Sequence, residues 1–357
     1  MARQSINGIF EQTVTAPSCA VFESVPDGFL QCPARRLAEV LPGPSLIDLP
    51  GRDRHPLFVS VLLHGNEETG LVAAQEVLRR HRTRQLDRSL LLFIGNVAAA
   101  AANERTLPGQ ADYNRVWPGT LAPNVPEAHM ARWVFEYAAA RKPFASIDIH
   151  NNTGLNPHYA CTTRLESKFI ALARLFSRTI VHFERPLGVQ TGAFAQLCPA
   201  ITIECGKSGV GAATVHAVDL IEAGLSIVQL PSHDMAPKDV DLLRTYAIAK
   251  VPEDASFSFD GSPADFRFRS DIDRLNFSEL NAGDSFGKVG DENTRLIVLP
   301  ATESDSTDVY FDYRERQIRL TQDVVPAMLT LDPRAIRGDC LCYLMHRIGM
   351  DGARLRD

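Results

Sequence analysis

The sequence predicts an α/β fold: a mostly parallel mixed sheet flanked by helices over residues 1–235, then a smaller, mainly β domain over 236–357. Three observations carry this prediction. From residue 56 to about 230, apolar runs of strand length alternate with segments whose apolar residues recur at helical spacing, the pattern of a sheet covered by helices. Three of those strands end in a residue of catalytic type, His64 with Glu67, His150 and Glu204, at the edge where open α/β sheets bind ligands. Beyond about residue 245 the texture changes to short β-like pieces broken by turns.

Residues 1–55 are rich in turn formers, among them Pro17, Pro26, Pro33, Pro42, Pro44 and Pro50, with short apolar pieces at 19–22 and 45–49 that read as edge strands. Residues 57–63 form a strand that stops at His64-Gly65-Asn66-Glu67. A helix over 67–82 follows, with Leu71, Ala74, Val77 and Leu78 on one face. Its basic end, Arg79 to Arg82, suits the negative pole of the helix dipole.

Residues 89–95 form the next strand, 97–104 a short Ala-rich helix and 105–119 a polar loop. A helix over 127–141 has Pro126 as its starter, and a strand over 144–149 leads to His150. A helix over 165–178, a strand over 179–183, a strand over 200–203 leading to Glu204 and a long amphipathic helix over 210–228 complete the α/β part. Residues 231–237 read as a linker. Strand-like pieces follow at 245–251, 256–259, 266–268, 295–299, 308–313 and 340–346.

A chain of 357 residues easily buries a sizeable core, and 45% hydrophobic with 22% charged residues describes a soluble globular protein. A net charge of -6 argues against nucleic-acid binding, whose footprint is a basic patch. No apolar run approaches the roughly 18 to 20 residues needed to span a bilayer. The first eight residues lack a charged segment leading into an apolar core, so no secretory signal and a cytoplasmic location are expected. The seven cysteines have no regular framework and read as reduced thiols, with Cys340 and Cys342 as strand residues.

Two histidines and a carboxylate gathered at one sheet edge give three protein ligands, the open arrangement of a catalytic zinc with its fourth position left for water. Bound zinc lowers the pKa of that water toward about 7 and polarises a carbonyl. A further carboxylate that is not a ligand can take the water's proton and return it to a leaving amine, and Glu204 stands in position for this. Taken singly, His64 with Glu67 is a common pairing and Glu204 a common strand-end carboxylate. Asp148, two residues before His150, either orients that ligand or points to the opposite face of the strand. His158 is a candidate pocket residue; His129 and His216 read as surface or packing residues.

Four motifs then add up. His64-Gly65-Asn66-Glu67, Asp112-Tyr113-Asn114-Arg115, Asp148-Ile149-His150-Asn151 and Ile203-Glu204-Cys205-Gly206-Lys207 resemble, in order, those of the succinylglutamate desuccinylase and aspartoacylase family, within the zinc carboxypeptidase superfamily. The resemblance covers about residues 56–215, and the tail resembles the family's C-terminal domain more loosely. It implies one zinc on His64, Glu67 and His150, with Glu204 as general base and then general acid. It also implies that Asn114 and Arg115 hold a substrate α-carboxylate and that Arg105 polarises the scissile carbonyl, roles a permanently charged guanidinium can fill.

One departure bears on substrate. Aspartoacylases carry an arginine about ten residues before the catalytic glutamate, where this chain has Gly192-Ala193-Phe194-Ala195. A pocket walled by Phe194 leaves a second carboxylate unpaired, so a less polar side chain or a different acyl group is expected.

The expected function is a zinc-dependent amidohydrolase, a deacylase of an N-acyl amino acid or related compound. The alternatives are a metallocarboxypeptidase acting on small peptides or conjugates, and a metal-free binding protein on the same fold. Expected partners are a small carboxylate-bearing N-acylated substrate, with no nucleic acid and no membrane; homo-oligomer formation is left open.

Overall fold

The computed structural model describes residues 19–233, 237–301 and 310–349. The expectations for the N-terminal residues 1–18, for linker positions 234–236 and for strand positions 308–309 lie outside the described residues. The chain runs through β1 (Ala20–Phe22), β2 (Ser45–Leu49), β3 (Gly51–Val61), α1 (Thr69–Arg80), β4 (Leu86–Ile94), α2 (Val97–Ala102), α3 (Pro126–Arg141), β5 (Ala145–His150) and β6 (Tyr159–Thr162). It continues with α4 (Ser167–Arg174), β7 (Thr179–His182), α5 (Gln190–Phe194), β8 (Ala200–Glu204) and α6 (Gly211–Ser226). Beyond these come β9 (Asp241–Lys250), β10 (Phe257–Ser258), β11 (Phe266–Phe268), β12 (Ser285–Val289), β13 (Ile297–Pro300) and β14 (Phe311–Asp312). The last elements are β15 (Gln317–Leu320), β16 (Val325–Ala327), α7 (Pro333–Gly338) and β17 (Cys342–Arg347).

Among the described residues twelve strands form one mixed sheet, in the order β1-β2-β4-β3-β5-β8-β6-β7-β9-β17-β16 with β13 also on β9. Its centre, β4-β3-β5-β8, is parallel, so β3, β5 and β8 deliver their carboxyl ends to one edge. Within it His150 lies in register opposite Glu204. A second sheet, β10-β11-β12-β15-β14, has its own apolar cluster around Phe266, Phe268 and Phe286.

From Pro56 onward strand β3 is buried on both faces, as a central parallel strand must be. Leu57, Val59 and Val61 pack with α1 and α6, and Phe58, pointing the other way, packs with α3, Trp117 and Phe194. The strand expected to reach residue 63 stops at Val61 because Leu62 takes a left-handed conformation, φ 54°. The helix expected from Glu67 starts only at Thr69, since 64–67 form a turn in which the Glu67 N–H donates to the His64 carbonyl at 3.2 Å.

Two glycines fix where that turn sits. A Cβ on Gly65 would stand 2.2 Å from the backbone of Ala99 and Ala100 at α2, and one on Gly70 would stand 2.9 Å from Ile149 and Val61. Only glycine at these positions lets the corner lie against α2 and lets α1 settle onto β3 and β5.

Strands β6 and β16 and helices α5 and α7 have no counterpart in the periodicity of the sequence. Main-chain pairing does not stop at the expected boundary near 235: β9 pairs in parallel with β7, and β17 and β13 flank β9. No helix of the described residues is long and apolar enough to cross a membrane.

Candidate metal centre and active-site cavity

His64 and Glu67 sit in the turn after β3, and His150 is the last residue of β5. All three are buried, and their ligand atoms lie within 4.8 Å of one another. His64 Nδ1 is 2.8 Å from Glu67 Oε1, and His150 Nδ1 is 2.7 Å from Glu67 Oε2. The two Nδ1 atoms therefore converge on one carboxylate. The outer ring nitrogens are held by other carboxylates: His64 Nε2 is 3.1 Å from Asp112 Oδ1, and His150 Nε2 is 2.8 Å from Asp148 Oδ2. Asp148 is itself fixed by the Ser60 hydroxyl, which donates at 2.7 Å. Of the two positions open for Asp148, the structure gives the one against His150 rather than one on the opposite face of the strand.

These charges shape the proton affinities. Burial pushes the Glu67 carboxyl up, yet His64 and His150 together hold it well below the usual carboxylate range. Burial opposes charge on His150, but Asp148 and Glu67 raise it well above an ordinary histidine. Glu204, at the end of β8, behaves in the opposite way: burial, with a push from Glu67 against the pull of His150, raises its carboxyl to about 7. Its Oε2 accepts from the Asn152 amide at 3.2 Å.

Around this centre lies a cavity lined by His64, Glu67, Arg105, Asn114, Arg115, His150 and Glu204, so the structure brings together the candidate metal ligands, the candidate base and the three candidate substrate-facing residues. Arg105 reaches Asp112 at 3.0 Å and Glu67 at 3.8 Å. Asn114 Nδ2 is 3.1 Å from His150 Nε2, and its Oδ1 accepts from the Gln190 N–H at 2.9 Å. Arg115 donates to the Asn114 carbonyl at 2.8 Å and pairs with Asp339 at 3.0 Å.

Two expectations are corrected. Phe194 does not wall the cavity: it is fully buried, 4.2 Å centroid to centroid from Phe58 and edge-on to Trp117, because α5 turns it into the core. His158 is not a cavity residue either; it pairs with His216 at 2.9 Å and stacks on Phe176.

Residues 55–224 match the succinylglutamate desuccinylase/aspartoacylase catalytic domain. Over these residues the chain is similar to that domain. Comparison with the curated proteins gives no match. Among solved structures the fold is shared with the succinylglutamate desuccinylase from Chromobacterium violaceum, at 18% identity and TM-score 0.57 over 89% of this chain and 90% of that one. It is shared with murine aminoacylase 3, at 17% identity and TM-score 0.53 over 83% and 96%. It is also shared with the ectoine utilization protein EutE (DoeB) from Ruegeria pomeroyi, at 15% identity and TM-score 0.53 over 85% and 88%.

Several cavity residues were not found by sequence reasoning. Arg185, Asp339 and Tyr343 line the same space, the last two from the segment beyond α7. None stands in a recognisable motif, and only the path of the chain brings them in. Asp112 was visible in the second family motif, but its hold on His64 and Arg105 was not.

Proposed function

We propose that this protein is a metal-dependent hydrolase that cleaves the amide of a small N-acylated compound. The observation that carries the reading is the convergence of His64 Nδ1, Glu67 and His150 Nδ1 in one cavity with Glu204, a carboxylate raised to about 7. A buried set of two imidazoles and one carboxylate, each imidazole backed by a second carboxylate, fits a zinc ion by donor type and by the support behind the donors. Held by His64, Glu67 and His150, such an ion would supply Lewis acidity to a carbonyl and acidity to a water.

The chain's own groups do the rest. Glu204 takes a proton as general base and returns it to the leaving nitrogen; a carboxyl poised near neutrality can do both. Arg105, beside Glu67 and Asp112, stabilises negative charge developing on the carbonyl oxygen. Asn114 and Arg115 form the wall that receives the amine half of the substrate. The reading places the protein in the cytoplasm, where seven reduced thiols persist.

The test is amine release from a panel of N-acetyl and N-succinyl amino acids, amines and short peptides, using zinc-reconstituted protein with Glu204→Gln as control. Turnover of one small acylated compound, lost in the control, establishes the deacylase. Turnover of peptides alone moves the protein to the carboxypeptidases, and no turnover with any member rejects the reading.

A further inference from the structure

The corner of the cavity where Arg105 and Arg115 approach each other already holds a carboxylate. Asp339 Oδ1 is 3.0 Å from Arg115 Nη2, and Asp339 Oδ2 is 3.7 Å from Arg105 Nη2. One oxygen faces each guanidinium, as the two oxygens of a ligand's carboxylate would in a two-arginine clamp. Arg105 also carries Asp112 at 3.0 Å, so in this corner two cations face two carboxylates. Both guanidiniums are thus committed before any substrate arrives.

Asp339 is not on a loose segment. It ends α7, where its N–H donates to the Ala335 carbonyl at 3.0 Å, and two residues later the Leu341 N–H donates to Ala249 on β9 at 2.8 Å. The backbone that presents the carboxylate is thus tied on both sides. A substrate carboxylate entering here would meet Asp339 and Asp112 with both guanidiniums of the corner already paired, and like charges at this range strongly disfavour one another. A neutral group would meet no such penalty.

We propose that Asp339 takes the place of a substrate α-carboxylate in the Arg105 and Arg115 corner, so that the amine released is one without an α-carboxylate, neutral at that end. The proposal rests on the deacylase reading and narrows its substrate class to N-acylated amines, diamines included. Asp339 is then a specificity-determining residue supplied by the C-terminal segment.

The experiment compares pairs that differ only in the α-carboxylate: Nα-acetyl-leucine against N-acetyl-3-methylbutylamine, and Nα-acetyl-ornithine against N-acetylputrescine, with the succinyl counterparts. Zinc-reconstituted wild type, Asp339→Asn and Asp339→Ala are assayed for kcat/KM. The wild type is expected to favour the decarboxylated member by about tenfold or more, the effect of one pKa unit of interaction. Asp339→Asn is expected to shift that ratio by about the same factor toward the carboxylate.

A wild-type preference for the α-carboxylate overturns the proposal. So do variants that lower both members of each pair equally, which would mark Asp339 as a merely structural support for the arginines. A catalysis-independent measurement keeps the two readings apart: on Glu204→Gln, the thermal shift produced by the free amines is compared with that of the matching amino acids. A larger shift with the amines supports the role of Asp339 even if no amide is turned over. A larger shift with the amino acids, or none with either, overturns it.

Discussion

His64 and Asp112, 48 residues apart in sequence, meet with Nε2 3.1 Å from Oδ1. The same carboxylate holds Arg105 through Oδ2, so one aspartate fixes both the imidazole of a candidate metal ligand and the cation beside it. Removing its charge should loosen both. Asp112→Asn is expected to weaken zinc binding about 10- to 100-fold, the usual cost of losing a carboxylate behind a histidine ligand. A chelator competition titration reads it; unchanged affinity would show that Asp112 serves only Arg105.

Glu204→Gln keeps the size of the side chain and removes the base. Zinc stoichiometry should stay at that of the wild type while kcat falls about 10²- to 10⁴-fold, the range of a positioned acid or base. A variant with normal turnover would remove Glu204 from the mechanism.

The same residue sets a pH dependence with a definite sign. The general base must be ionised, and burial raises the Glu204 carboxyl to about 7, so kcat/KM should rise with pH and level off once the anion predominates. A cation on His64, Glu67 and His150 adds positive charge and can only move the midpoint down. The acid limb is therefore expected at 7 or below; a limb whose midpoint lies above pH 7 would contradict the assignment.

Metal uptake should show its own pH dependence. Against the cost of burial, Asp148 and Glu67 raise His150 well above an ordinary histidine, so at neutral pH the apoprotein holds a proton that the ion must displace. Zinc affinity is thus expected to increase with pH, with proton release on binding, as measured by calorimetry in buffers of different ionisation enthalpy. His150→Ala should abolish both the release and most of the binding.

Phe194 separates packing from specificity. Its ring is fully buried among Phe58, Trp117 and Phe135, none of them in the cavity wall. Phe194→Ala should cost about 3 to 5 kcal/mol of stability in a denaturant titration. Substrate preference among the acylated panel should stay as it was.

What the sequence by itself determined are features written in local pattern. The alternation of strand and helix located β3, α1, β4, α3, β5 and β8, because apolar periodicity reports which faces must be buried. The polar residues that break those runs, His64 with Glu67, His150 and Glu204, identified the sheet edge at which the cavity lies, since a parallel sheet brings its strand ends together whatever its sequence elsewhere. Tertiary structure alone decided the rest. Asp112 on His64, Asp339 between Arg105 and Arg115, and the inward turn of Phe194 depend on contacts between segments distant in the chain, and the energy of those contacts leaves no periodic trace. The sheet's passage from β7 to β9 was hidden for the same reason: strand pairing depends on which backbone edge is left open, and composition, which changes near residue 235, does not record that.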